Sequence, residues 1–144
     1  MDKQTFVYVI SISTTPERLW VALTTGDLTQ QYWSNQRIQS DWKIGSPVKH
    51  LMENGQAEWE GLVLQHDPFR VLSYTMMGEQ GPQRLAFQLE PVGETVKLTL
   101  SHYDLPPTDF ELVSTGWPGM MSSLKTLLET GKPDRSFRPW SRSV

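Results

Sequence analysis

The chain has 144 residues, a formal net charge of −3 and no cysteine. That length suits one domain, and the lack of cysteine excludes a disulfide framework, a thiol nucleophile and a thiolate metal site. The charge offers no broad basic front to nucleic acid, and no stretch approaches the roughly 20 apolar residues of a membrane span.

The opening MDKQTFVYVISIS alternates and has no small-residue cleavage site, so it reads as a strand rather than a signal peptide. A soluble, cytoplasmic protein is expected. In the first strand Phe6, Tyr8, Ile10 and Ile12 take one side, and Val7 and Val9 suggest burial on much of the other. Thr15-Pro16 is an N-cap followed by a good first helical residue, and Leu19, Trp20 and Leu23 recur at helical spacing up to Thr24-Thr25-Gly26. Asp27 opens a second short helix through Leu28, Tyr32 and Trp33.

From about residue 37 to residue 103 the period is two. Val48, His50 and Met52 point one way, and Asn54-Gly55 is the clearest hairpin signal. Trp59, Gly61 and Val63 alternate with Glu58, Glu60, Leu62 and Leu64. Leu72, Tyr74 and Met76 line one face of the next strand, and residues 78 to 82 read as a loop. Leu85, Phe87 and Leu89, then Val96, Leu98 and Leu100, continue the pattern across a turn at Pro91 to Glu94. Such alternation predicts an antiparallel meander with one packed face. Residues 104 to 116 read as a polar connection. Beyond it Trp117, Met120, Met121, Leu124, Leu127 and Leu128 form the apolar stripe of a helix, with Pro118 in its first turn and Gly131 at its end. Residues 1–131 are expected to form the domain and residues 132–144 a basic, proline-containing tail that is mobile or loosely docked.

Several of these segments carry a resemblance: Thr15-Pro16-Glu17-Arg18-Leu19-Trp20, Tyr32-Trp33, Asp41-Trp42-Lys43-Ile44-Gly45, Leu72-Ser73-Tyr74-Thr75, Leu98-Thr99-Leu100-Ser101-His102 and Gly116-Trp117-Pro118-Gly119. Together, over residues 5 to 131, the chain resembles the bacterial single-domain branch of the heat-shock-protein-90 ATPase activator-like family, within the START-related SRPBCC superfamily. The resemblance implies an α+β helix-grip fold. Its curved antiparallel sheet of about six to seven strands would wrap around a long C-terminal helix, with two short helices after the first strand.

A curved sheet and a helix laid across it can leave an apolar cavity. Trp33, Trp59, Tyr74, Phe87, Trp117, Met120 and Met121 are the expected ligand-binding residues. Aromatic rings and adaptable methionines suit an apolar or aromatic guest, although the same residues also suit a solid core. Tyr74 and His102 are the candidate polar groups to orient a ligand, unless their partners are protein groups. The three histidines show no metal-ligand spacing, and there is no nucleophile elbow, dinucleotide fingerprint or phosphate loop. No cofactor, metal or catalytic residue is expected. Three functions compete: non-catalytic binding of a hydrophobic or lipid-like small molecule, a chaperone-associated interaction protein, and a cyclase- or hydrolase-like enzyme of the same superfamily. The family name reflects members with an additional chaperone-binding domain, which this chain is expected to lack; a chaperone or a second copy of the chain is the alternative partner.

Overall fold

The computed structural model describes residues 3–33, 35–78 and 81–133. The tail expected beyond residue 131 lies almost wholly outside the described residues. Among the described residues, the chain order is β1 (Gln4–Ile12), α1 (Pro16–Thr24), α2 (Gly26–Tyr32), β2 (Arg37–Gln39), β3 (Pro47–Leu51), β4 (Ala57–Asp67), β5 (Val71–Gly78), β6 (Gly81–Val92), β7 (Thr95–Leu105) and α3 (Pro107–Thr130).

The seven strands form one curved antiparallel sheet in the order β1-β7-β6-β5-β4-β3-β2. The first strand closes on the last, with Tyr8 opposite Leu100 and Ile10 opposite Leu98. The two short helices and α3 cover the concave face, and this is the helix-grip fold. The period-two residues become its core: Leu72, Tyr74, Met76, Leu85, Phe87, Val96, Leu98 and Leu100 are buried with the stripe of α3.

Local chemistry sets the boundaries. Thr15 Oγ1 accepts from the Arg18 amide at 3.2 Å and Pro16 opens α1, which satisfies one free amide and pre-sets the first helical φ. The amide of Gly131, in the left-handed conformation at φ 77°, donates to Leu127 O at 2.8 Å and closes α3. The end of β1 pins the last turns of α3: Lys125 Nζ donates to Ser11 O at 2.6 Å and the Ser13 amide donates to Glu129 Oε2 at 2.8 Å.

Three expectations need correction. The segment 104 to 116 is not a connection, because α3 begins at Pro107 and holds Pro118 in its interior. The apolar spacing runs back through Val113 and the half-buried Phe110. Packing of that longer stripe outweighs the hydrogen bond that Pro118 cannot donate to Ser114. The loop expected over 78 to 82 is largely strand, since β5 runs to Gly78 and β6 begins at Gly81, paired with it. On β1, Val7 and Val9 are 54% and 50% exposed; the sheet is packed on one face, and only Phe6, Tyr8, Ile10 and Ile12 pack inward.

β4 changes pairing partner along its length. Its first half pairs with β3 through Leu62, and its second half pairs with β5 from Val63 onward. Gly61, paired with Val48, lies just before the change of partner. A Cβ there would lie 1.6 Å from the carbonyl oxygen of Thr75, so the two backbones approach as only glycine allows. Gly61→Ala is expected to destabilise the chain by about 3 kcal/mol or more, through forced separation of β4 from β5. Urea denaturation read by tryptophan fluorescence checks this.

Candidate functional site

Beneath α3, five aromatic side chains from five elements or their ends form a closed circuit. Trp33, at the end of α2, meets Trp117 of α3 edge to face, with ring centroids 5.4 Å apart. Trp117 meets Phe87 of β6 at 6.3 Å, and Phe87 stacks on Tyr74 of β5 at 6.4 Å. Tyr74 adjoins His50 of β3 at 5.7 Å, and His50 returns to Trp33 at 4.9 Å, again edge to face. These separations fall in the range where aromatic pairs attract. All five side chains are buried.

The sequence-predicted residues are therefore brought together, with differences of position. Trp33, Tyr74, Phe87 and Trp117 are members of the circuit. Met120 and Met121, fully buried, belong to the same core cluster. Trp59 stands opposite His50 on β4 and is only partly buried. Three concavities on the described surface, of about 710, 450 and 570 Å³, are lined by other residues.

Trp42 adds an outer ring, 5.8 Å from Tyr74. Its backbone is left-handed at φ 61°, a conformation that costs a bulky residue energy. Its indole Nε1 donates to Thr24 O at 2.9 Å, which helps to hold it there.

Two buried polar chains cross this apolar region. In the first, Trp117 Nε1 donates to His102 Nδ1 at 3.0 Å. His102 Nδ1 is thereby an acceptor, so the ring proton sits on Nε2 and is donated to Gln83 Oε1 at 2.7 Å. The Gln83 amide nitrogen in turn donates to Asp109 Oδ2 at 3.2 Å. Every donor has one acceptor, and the chain links β6, β7 and both the start and the middle of α3. In the second, His50 Nε2 and Tyr74 Oη lie 3.1 Å apart, and His50 Nδ1 has no hydrogen-bond partner.

Burial sets the protonation states. It lowers the His102 pKa from 6.5 to about 4 and the His50 pKa from 6.5 to about 3. Burial likewise raises the Tyr74 pKa. At neutral pH the interior is lined by uncharged rings. Among the described residues, no group of three metal-ligating side chains occurs and no helix is long and apolar enough to cross a membrane.

Sequence reasoning missed His50, Gln83 and Gln36 as buried polar groups. His50 shares parity with the buried Val48, and Gln83 with Leu85, Phe87 and Leu89, so inward placement was readable from alternation alone. Glu58, which alternates with Trp59, Gly61 and Val63, accepts from Gln36 Nε2 beside a register shift between His50 and Leu51. The bulge at that shift places both Glu58 and Trp59 beside His50, which alternation does not foresee.

Comparison with known proteins places this architecture. The family model described as "Activator of Hsp90 ATPase homolog 1-like protein" matches residues 13–129. The chain belongs to that family. Its structure resembles the Aha1 dimer from Colwellia psychrerythraea, with 28% identity over 90% of this chain and 98% of that chain and a TM-score of 0.76. It resembles a protein of Mesorhizobium loti, with 25% identity, coverage of 87% and 96%, and a TM-score of 0.77. An HSP90 activator from Plasmodium falciparum shares the fold at 16% identity, with coverage of 86% and 95% and a TM-score of 0.73. No curated protein matches the chain.

The two neutral histidines give the fold an acid limit. Unfolded, each takes up a proton near pH 6.5, whereas folded they resist protonation until about pH 4 and 3. The unfolded state thus binds more protons in that window, and stability falls as pH drops from about 6.5 to 4. The loss at pH 4 is about 3 kcal/mol for each histidine, a large part of an ordinary domain's stability. Urea midpoints measured from pH 7 to 4 are expected to decline steadily, with most of the decline absent in a His50→Phe, His102→Gln double variant.

Proposed function

We propose that the protein binds a small apolar or aromatic molecule, without transforming it, inside the grip between α3 and the sheet. The observation that carries this reading is the closed circuit of Trp33, Trp117, Phe87, Tyr74 and His50, with one ring nitrogen of His50 left without a protein partner. A purely structural core satisfies its buried polar atoms, because each unpaired one costs about 1–3 kcal/mol. Rings from several elements facing one another are also how proteins build apolar ligand sites.

Met76, Met120 and Met121 border the same interior. Their unbranched thioether chains repack at low cost, and this supports admission of a guest. Binding rather than turnover fits the chemistry. A histidine whose pKa has fallen to about 3 or 4 is a weak base at neutral pH, and His102 already uses both ring nitrogens. The cytoplasm is the compartment we assign, in keeping with a chain that has no cysteine.

A second copy of the chain is the macromolecular partner favoured by comparison, since the Colwellia relative is a dimer. A chaperone is the alternative, from the family's description. Light scattering on the purified chain separates these: a species of twice the 16.5 kDa chain mass supports self-association.

Ligand binding to the native state alone must raise the melting temperature. A set of uncharged two-ring aromatic compounds at 1 mM or below, screened by thermal shift, is expected to include members that raise it by about 2 °C or more and quench tryptophan emission. Trp117→Ala should abolish that shift. A flat response across the set, with the wild-type chain folded, contradicts the reading.

A further inference from the structure

We infer that the occupant of this interior is an uncharged aromatic molecule bearing a group that both accepts and donates a hydrogen bond, of the phenol class, seated at the β2–β3–β4 end of the grip between His50 and Gln36. This inference rests on the ligand-binding reading and specifies its chemistry.

Two buried side chains at that end hold unpartnered polar atoms, His50 Nδ1 and Gln36 Oε1. They belong to one neighbourhood. Gln36 precedes β2 and lies two residues from Ile38, which pairs with His50. The Gln36 amide is held by Glu58, next in sequence to Trp59, which also pairs with His50. The Gln36 backbone amide donates to Trp33 O at 2.8 Å, and Trp33 packs against His50.

The polarity of each atom follows from its partners. A carboxylate accepts, so Gln36 turns its amide nitrogen to Glu58, and the free atom is the carbonyl oxygen, an acceptor. Tyr74 has one hydroxyl proton, and His50 Nε2 is its neighbour at 3.1 Å. If Tyr74 donates, one polar atom of the pair stays unpaired, the Nδ1–H of His50. If His50 Nε2 donates instead, both its Nδ1 and the tyrosine proton lack partners. The first arrangement costs less, so His50 presents a donor. A guest therefore has to accept from His50 and donate to Gln36, which a hydroxyl does.

The same surroundings select against charge. Among the described residues no lysine or arginine is buried, and the Glu58 side chain stands beside Gln36. A carboxylate guest would enter an apolar circuit with no counter-ion and a carboxyl neighbour, and an unpaired buried charge costs far more than a hydrogen bond returns. A hydrocarbon guest would leave both polar atoms as they are.

Calorimetric titration of the full chain with 2-naphthol, naphthalene and 2-naphthoate, one shape with three head groups, tests this. Two hydrogen bonds of ordinary net worth predict that 2-naphthol binds about tenfold tighter than naphthalene, with 2-naphthoate weakest. Gln36→Met should cut that preference, read as the ratio of 2-naphthol to naphthalene affinity for the same variant, at least about threefold. His50→Phe should cut the preference by a similar factor, and if that variant does not fold, Gln36→Met decides. Equal binding of 2-naphthol and naphthalene overturns the polar anchor and leaves the apolar reading standing. Tightest binding by 2-naphthoate overturns the exclusion of charge. Failure of all three to bind overturns this inference and the ligand-binding reading together.

Discussion

The hydrogen bond from the Trp117 indole to His102 Nδ1 is the constraint on which the rest of the interior depends. It joins the middle of α3 to β7 at 3.0 Å, and it requires His102 to be neutral with its proton on Nε2. That proton then determines the orientation of Gln83, and Gln83 determines which group faces Asp109 near the start of α3. One tautomer thus sets the depth and rotation of the helix against the sheet. A helix held by apolar contact alone would have several near-equivalent seatings. The directional chain selects one of them, and places Trp117 where it closes the aromatic circuit with Trp33 and Phe87.

The second histidine has the opposite character. His102 is satisfied on both nitrogens, whereas His50 is satisfied on one. Both are buried among rings and both are held neutral by the same desolvation. The contrast divides the interior into a structural end, toward α3 and β7, and an end toward β2, β3 and β4 that retains unspent hydrogen-bonding capacity. The β-bulge opposite His50 and the left-handed Trp42 lie toward the second end, where departures from regular backbone are expected if they serve a site. The family relationship accounts for the architecture, and the ligand reading stands on these residues.

Much of the fold was legible because alternation and capping chemistry are local. Thr15-Pro16, Asn54-Gly55 and Gly131 marked a helix start, a hairpin and a helix end, and the structure uses each in that role. The misreadings have physical causes. Pro118 reads as a helix start because a proline has no amide to donate, yet the Phe110-Val113-Trp117 stripe carries the helix through it. Val7 and Val9 read as buried because valine favours strands, but the sheet is packed on one face and they lie on the other. The site was legible in part. Its large aromatic members stood out by type and the inward parity of His50 was readable from its strand, whereas Gln36, outside any strand, was hidden because its burial depends on a distant partner. Gln36 finds Glu58 at a separation of 22 residues, and no periodicity reports such a pairing.

The protonation state of His102 bears most directly on this account. Long-range proton–nitrogen correlation NMR of the histidine rings at pH 6 reads each nitrogen separately. The account predicts a neutral His102 ring protonated on Nε2 only, with Nδ1 shifted by a bond from the Trp117 indole proton. A His102 ring that is charged at pH 6, or that carries its proton on Nδ1, contradicts it.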